Sequence, residues 1–248
     1  MDLLNKNHNK FILTPIFSVL RDAVLASSGV GSGIETFPLC DYVTQSVFLK
    51  MTGFQEQKMK SVCWELASYD YEYRYDRYTK DRLGECSTYN EKNKIYQDLI
   101  KQIKRHSVVA FEISSLDKSK ILSEVGTEIN EIFSNSNFEI WAQRTFTEYK
   151  AIWSSISTNS YSNDEKNMFS DSGTYSLKKM YDNHLYRHRN RVAHNTLSYQ
   201  QNLPTLQTLV EENYKYENYF LFFSILGLID KLSIELYSKY LHTVTNSA

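Results

Sequence analysis

Glycine and proline are scarce in this sequence, and their scarcity limits the folds that the chain can adopt. Among its 248 residues there are eight glycines and three prolines. A β-sandwich uses these residues at its many tight turns, whereas helix interiors exclude them. Apolar side chains also recur at helical spacing along most of the chain. The sequence therefore predicts an all-α fold.

The helical pattern predicts a single domain over residues 1–248, built as a bundle of about six to eight helices. A chain of this length can bury one sizeable core. Breaks are expected near residues 52–54, near Glu217, and in a serine- and asparagine-rich loop at about 154–174. The ranges with helical spacing are 11–26, 38–68, 89–106, 117–135, 137–157 and, after Pro204, 205–241.

The composition limits which cellular environments and binding partners are expected for the chain. The formal net charge is −1, so nucleic acid could be bound only through a local basic patch. The three cysteines form no Cys-x-x-Cys pair, which argues against a disulfide framework and a cysteine zinc site. The most apolar run, residues 219–229, is shorter than the roughly 20 residues that a membrane helix needs. With no secretory pattern at the N-terminus, the expected location is the cytoplasm, without a membrane partner.

One short segment concentrates cations and imidazoles in this nearly neutral chain. Residues 185–197 read LYRHRNRVAHNTL and hold two of the six histidines, directly after His184. Between Tyr175 and Asn195 there are five lysines and arginines and a single acid, Asp182, which gives a local charge of +4. This segment is the candidate functional site.

Helical geometry would bring the chemically useful groups of this segment together. Asn190 and His194 are four residues apart and share a helix face. Arg189 lies about 140° round the helix from His194, but its long side chain can fold back. A guanidinium can donate two parallel hydrogen bonds to phosphate oxygens, and an imidazole can accept and donate a proton near neutral pH. Such groups suit cleavage of an RNA phosphodiester without metal, by attack of the adjacent 2′-OH.

The run from Arg189 to His194, Arg-Asn-Arg-Val-Ala-His, resembles the Arg-x4–6-His signature of the HEPN superfamily in its common RNxxAH spelling. The resemblance implies a metal-independent endoribonuclease, often a toxin or part of antiviral defence, with the motif on a late helix of an all-α domain. It implies catalytic roles for Arg189 and His194 and a supporting role for Asn190. The helices before the motif would then be an N-terminal elaboration of a HEPN-like domain.

The resemblance also implies a homodimer, in which two copies of the motif form one composite site. Two copies of His194 across a two-fold axis could divide the roles of base and acid, which one imidazole cannot fill at once. RNA is the expected substrate, no metal or cofactor is expected, and an inhibitory antitoxin or another regulatory partner would restrain the nuclease. The side chains expected to bind RNA around the catalytic residues are Lys178, Lys179, Arg187, His188, Arg191 and Asn195.

Two other interpretations of this segment stay open. His184 and His188 have the spacing of two zinc ligands on one helix, although no glutamate follows His184 in the zincin manner and the flanking arginines would repel a dication. Alternatively, the patch binds nucleic acid, a nucleotide or an acidic partner without catalysis, as in HEPN-like domains that have lost activity. In that case His194 is a structural imidazole.

A second unusual run, YDYEYRYDRY at residues 69–78, alternates tyrosine with charge. Tyrosine rings can stack on unpaired bases, whatever the base. Interleaved charges of both signs, however, favour a half-exposed strand or the end of an amphipathic helix.

Overall fold

The described part of the chain folds into α-helices and contains no β-strand. The structure, a computed structural model, describes residues 7–107, 110–161, 164–171, 175–194 and 215–246. Within these ranges the pairing of extended backbone is limited to one isolated antiparallel bridge between Tyr161 and Phe169. The predicted all-α fold is confirmed.

The helices range from single turns to a segment of 33 residues. In chain order they are α1 (Asn7–Leu13), α2 (Phe17–Ala26), α3 (Phe37–Tyr69), α4 (Tyr71–Tyr75), α5 (Tyr89–His106), α6 (Lys118–Phe133), α7 (Asn137–Trp141), α8 (Gln143–Ser154), α9 (Leu177–Met180), α10 (Tyr186–His194) and α11 (Tyr219–Asn246). Those in the described residues already outnumber the six to eight predicted. The difference arises because α4, α7 and α9 are too short for apolar periodicity to reveal.

Both ends of α5 agree with the predicted range, 89–106, and the sequence carries a clear signal for its start. The Thr88 hydroxyl accepts from the Glu91 N–H, and the Glu91 carboxylate accepts from the Thr88 N–H at 3.1 Å. This capping box satisfies two backbone donors that the first turn of a helix leaves without partners. The helix α6 differs from its predicted range, 117–135, by one residue at its start and two at its end.

Three other predicted boundaries were wrong, each for a local reason. No break occurs near 52–54: α3 continues through Gly53, where a β-carbon would meet no atom within 4 Å, and a helical glycine costs only about 1 kcal/mol against alanine. The predicted helix 11–26 is divided at Pro15, which lacks the N–H that a continuing helix needs. The predicted helix 137–157 is divided at Ala142, whose backbone leaves the helical conformation.

The long helix α11 lies at the centre of the bundle and packs against α3, α5, α6 and α8. Its residues from Phe220 to Asp230 are buried on every face, as the apolar run predicted. Gly227 allows α2 to pack closely against α11, because a β-carbon at this position would lie 2.0 Å from the Phe17 ring. None of the described helices is both long and apolar enough to cross a lipid bilayer.

The helix predicted over 205–241 overlaps α11 only in part. Residues 205–214 lie outside the described residues. A single helical turn at Lys215 and Tyr216 comes before α11, and the Asn218 side chain accepts from the Phe220 N–H at 3.0 Å at the start of that helix. The predicted break near Glu217 coincides with this start.

The predicted loop at 154–174 begins where α8 ends and is fastened to α5. Its described residues contain one short 3-10 turn, Thr158–Ser160. The Met168 N–H donates to Asn93 at 2.7 Å, and the Phe169 N–H donates to the Tyr89 hydroxyl at 2.8 Å. Residues 162–163 and 172–174 lie outside the described residues. These bonds hold residues 168–169 of the loop against the start of α5.

A buried ion pair joins α3 to α11. The Nζ atom of Lys58 lies 2.5 Å from a carboxylate oxygen of Asp230, and both side chains are 1% exposed. Asp230 also accepts from the Ile16 N–H at 2.9 Å, and Lys58 donates to the Thr14 carbonyl at 2.7 Å. Burial raises the pKa of Asp230 and lowers the pKa of Lys58. Each charge is therefore tolerated only because the other is present.

Candidate functional site

The helix α10 carries the predicted signature and continues a longer helical run. From Leu177 to His194 the backbone passes through α9 and a π-helical turn, Tyr181–Leu185, into α10 without a break. The side chains at both ends of this turn are buried, whereas no residue of α10 is. A π-helical turn is frequent beside functional sites. The charged residues thus lie on an accessible helix that is anchored at its start.

Arg189 is held in place by an acid from another helix. Its Nη2 group donates to both carboxylate oxygens of Glu56 on α3, at 3.0 and 3.3 Å. Its Nη1 group donates to the Asn190 side-chain oxygen at 3.2 Å. The Arg189 and Glu56 side chains are 24% and 14% exposed. The guanidinium is therefore orientated by partly buried contacts and still reaches the surface.

His194 is the last described residue of α10 and its side chain is exposed. None of the described residues forms a hydrogen bond or an ion pair with its ring. Asn190 lies one helical turn before it on the same face. The structure thus brings Arg189 and Asn190 into contact, and it places His194 on the accessible face that Asn190 shares.

The Glu217 carboxylate, just before α11, lies close to three basic side chains of this segment. Its carboxylate accepts from Arg191 Nη2 at 2.7 Å and from His184 Nδ1 at 3.1 Å, and His188 Nδ1 lies 3.6 Å away. Burial opposes ionisation of Glu217, but the hydrogen bond from His184 and the charge of Arg191 outweigh it and lower its pKa. This acid therefore ties α10 to the start of α11.

His188 is enclosed by aromatic rings rather than directed at solvent. Its ring lies 5.0–5.6 Å, centroid to centroid, from Phe48, Tyr219 and Phe222. Burial lowers its pKa to about 4, so the ring is neutral near pH 7. Arg191 donates to Nδ1 at 3.2 Å, and Nε2 therefore carries the proton and donates to the Tyr219 hydroxyl at 2.7 Å. His188 positions Arg191 from within the fold.

The enclosure of His188 by aromatic rings predicts a loss of stability on mild acidification. Between about pH 6.5 and pH 4 the unfolded chain protonates this ring and the folded chain does not, so the free energy of unfolding rises with pH. The loss from pH 6.5 to pH 5 is expected to be about 2 kcal/mol. Urea unfolding at the two pH values measures it.

The matched variants for this test are His188→Phe and His242→Ala. Phenylalanine keeps a ring in the aromatic enclosure and removes the titrating group, so the acid-side slope should flatten. The exposed His242 on α11 should leave the slope unchanged when it is removed. The lowered pKa of Glu217 acts below about pH 4.5, outside this window. An identical slope in wild type and His188→Phe would contradict the assignment.

The zinc interpretation of His184 and His188 finds no support in the described residues. Both nitrogens of His188 are engaged by Arg191 and Tyr219, which leaves none for a metal. No group of three or more histidine, cysteine or acidic side chains in the described ranges is arranged to hold a metal ion.

The remaining residues predicted to bind RNA are dispersed along the helical run. Lys178 pairs with Asp171 at 3.2 Å, whereas Lys179 and Arg187 are exposed and form no ion pair with a described residue. Asn195 lies outside the described residues. The predicted charge of +4 is thus largely compensated by acids from elsewhere, chiefly Glu56 and Glu217. No signal in the sequence identified these two acids.

Comparisons with protein-family models, with curated proteins and with solved structures found no match for this chain. The resemblance to the HEPN signature therefore rests on the residues from Arg189 to His194 alone.

Proposed function

We propose that this protein is a metal-independent endoribonuclease and that the exposed face of α10 is its active site. The observation that carries the proposal is the contact between Arg189 Nη1 and the Asn190 side-chain oxygen, at 3.2 Å. It directs the guanidinium towards the helix face on which Asn190 and His194 follow one another. A permanent cation and a titratable ring can then approach the same phosphate.

The proposed reaction is transesterification within RNA. One imidazole removes the 2′-OH proton, the oxygen attacks the adjacent phosphorus, and the bond to the 5′-oxygen breaks as an acid protonates that oxygen. The products are a 2′,3′-cyclic phosphate and a 5′-hydroxyl. Arg189 stabilises the charge that builds on the phosphorane oxygens. Two of its nitrogens, Nη2 and Nη1, donate to Glu56 and Asn190, and the other N–H groups of its five remain for the substrate.

Glu56 supports this role for Arg189. A flexible exposed arginine would have to be ordered at each turnover, whereas a guanidinium fixed by a carboxylate is already orientated for its phosphate. The carboxylate also offsets part of the positive charge. The affinity for RNA would then depend on Arg187 and Lys179, the exposed cations of the predicted set without a described ion pair.

The proposal includes a homodimer, because the reaction needs a base and an acid at the same time. His194 is exposed at the end of α10, where a second copy of the chain can approach it. Two copies across a two-fold axis present the same surface to one another. An inhibitory antitoxin or another regulatory partner would act by covering this face. The proposed role belongs to toxin–antitoxin or antiviral defence.

A second candidate function is nucleic-acid or nucleotide binding without catalysis. It is favoured by the ion pairs of Arg189 and Arg191, which would keep both side chains in place even if they had no catalytic role. The two candidates differ in turnover, because a binding module releases its RNA intact.

The test is cleavage of single-stranded RNA by the purified protein in EDTA. The expected products are fragments that end in a 2′,3′-cyclic phosphate or a 3′-phosphate. The same oligonucleotide with 2′-deoxyribose at the cleaved position should resist, because the attacking hydroxyl is missing. Cleavage that requires an added divalent metal, or that proceeds at the deoxy position, would overturn the mechanism. RNA bound but recovered intact would favour the second candidate.

A further inference from the structure

A cavity of about 490 Å³ opens between α3 and residues 77–86. This volume lies within the range of roughly 300–1,000 Å³ that small-molecule sites occupy. The side chains on which its chemistry depends are Lys60 and Trp64 from α3 and Arg77, Tyr78 and Arg82 from the facing segment. No aspartate or glutamate is among its lining residues.

The cavity displays an aromatic surface that the fold leaves open. Trp64 is 55% exposed and Tyr78 is 42% exposed. Their ring centroids lie 6.4 Å apart at 82°, an edge-to-face contact that covers at most one face of the indole. A large aromatic side chain this exposed, beside a cavity, is a surface on which a flat ring can stack.

Tyr78 is the last residue of the tyrosine-rich run at 69–78, which carries other exposed rings. Tyr73 is buried and donates to Asp98 at 3.0 Å, which fixes the segment to α5. Tyr71 and Tyr75 are exposed, and with Tyr78 they follow one another at spacings of four and three residues on one side of α4 and the turn after it. The run is thus the end of an amphipathic helix whose outward tyrosines remain available.

The cations at the cavity differ in how far they are already neutralised. Lys60 forms an ion pair with Glu85, and Arg77 is held by Asp98 and Asp81. Arg82 is exposed and forms no ion pair with a described residue. Among the lining residues, Arg82 is therefore the arginine without an acidic partner, and its guanidinium can donate two hydrogen bonds to phosphate oxygens.

We propose that this cavity binds a nucleotide, with its base stacked on Trp64 and its phosphate on Arg82. Flat aromatic surface next to an unpaired guanidinium matches the two unlike ends of a nucleotide, a π-face and an anion. A simple phosphate would leave the aromatic surface unused, and an apolar ligand would leave Arg82 unused. The ligand is either a free nucleotide or one unpaired nucleotide of an RNA strand.

The position of the cavity favours the RNA strand. Glu56, which holds Arg189, is one helical turn before Lys60 on α3. A strand with its scissile phosphate at α10 would therefore continue towards Trp64. This step rests on the proposed function, whereas nucleotide binding in the cavity does not.

The experiment measures affinity for ligands that cannot be cleaved through a 2′-hydroxyl. A fluorescently labelled single-stranded 2′-O-methyl RNA, AMP, UMP and ribose 5-phosphate are each titrated into the full-length protein. Trp64→Ala is expected to weaken nucleotide binding about 5- to 150-fold, since loss of a stacking partner costs about 1–3 kcal/mol per base. Trp64→Phe, which keeps an aromatic face, should restore part of it. Arg82→Ala should lower the slope of log affinity against log salt by about one, because one phosphate contact is lost.

The matched controls are exposed residues outside the cavity. Tyr42→Ala removes a side chain that is 68% exposed at the other end of α3, and Arg144→Ala removes an exposed arginine on α8. Neither should change the affinity. Circular dichroism and thermal melting are used to check that the Trp64 and Arg82 variants are folded. Equal affinity of wild type and Trp64→Ala, or competition by ribose 5-phosphate as strong as that by AMP, overturns the proposal.

The arms of the experiment separate the two sources of the ligand and the two proposals. Saturable binding of AMP or UMP alone supports a free nucleotide, and binding of the oligonucleotide alone supports an RNA strand. Binding that depends on Trp64 in a protein that does not cut RNA would refute the nuclease and retain the cavity site. If the protein cuts RNA and Trp64→Ala binds the ligands with unchanged affinity, the cavity site is refuted and the nuclease is retained.

Discussion

Replacement of Asp230 by alanine is expected to lower the free energy of unfolding by about 3–5 kcal/mol, because it leaves a buried ammonium without its counter-charge. Lys58 would keep only the Thr14 carbonyl as a hydrogen-bond partner, and the Ile16 N–H would lose its acceptor. Both consequences fall at the junction of α1, α2, α3 and α11. Equilibrium unfolding in urea measures the change, with the slope of the transition checked for a shared two-state mechanism.

The controls separate the buried charge from the loss of any acid on α11. Glu235→Ala removes an exposed acid on the same helix, 4.0 Å from Lys239, and should change stability by less than about 0.5 kcal/mol. The double variant Lys58→Met, Asp230→Leu removes both charges and should be less destabilised than Asp230→Ala. Asp230→Asn gives a milder loss if the alanine variant does not fold. If the double variant is less stable than Asp230→Ala, the unpaired charge of Lys58 is not the main cause of the destabilisation in Asp230→Ala.

The sequence was informative where a local signal determines the structure. The start of α5 follows from Thr88 and Glu91, which form the capping box within four consecutive residues. The burial of α11 follows from an apolar run with no polar side for water to contact. Such features depend on neighbours in the chain, so they can be predicted without the fold.

The features that the sequence did not reveal depend on long-range contacts. Gly53 itself is exposed, and α3 continues through it because its neighbours Met51 and Gln55 are buried in the bundle, which the sequence does not display. The partner of Arg189 lies 133 residues earlier, on another helix. Glu217 was noted only as a possible break, yet it binds Arg191 and His184. The local charge of +4 is therefore correct as a count of the segment's own residues, but it overestimates the positive electrostatic field around them, because acids from elsewhere in the fold neutralise part of it.

Two histidines that look alike in the sequence, His188 and His194, differ in their surroundings in the structure. His188 and His194 both stand among arginines, but the rings of Phe48 and Tyr219 enclose the first and leave the second outside. Enclosure depends on which helices pack around α10, so the sequence alone assigned both to the RNA site. In the structure the neutral His188 supports Arg191, and His194 remains the accessible imidazole.

Replacement of His194 by alanine is expected to lower the rate of RNA cleavage by about 10²–10⁴-fold, the usual contribution of a positioned acid or base. The side chain is exposed, so stability should change by less than about 0.5 kcal/mol. His242→Ala, on an exposed turn of α11, is the matched control and should cleave at the wild-type rate. Single-turnover rates in EDTA provide the measurement. Undiminished cleavage by His194→Ala would remove this residue from the mechanism.

The Arg189 variants test whether the two groups act in one composite site. Arg189→Ala should lower the rate by about 10²–10³-fold, as expected when a donor to the transition state is lost, and Arg144→Ala is its control. If one site uses both subunits, mixing His194→Ala with Arg189→Ala places one intact copy of each group in the mixed dimer. Its activity should then differ from the mean of the separate variants, because a shared site in the mixed dimer lacks one imidazole and one guanidinium instead of two copies of the same group. A mixture that matches that mean, or a protein that sediments as a monomer while cleaving at full rate, would exclude a shared site, because each chain would then hold its own base and acid.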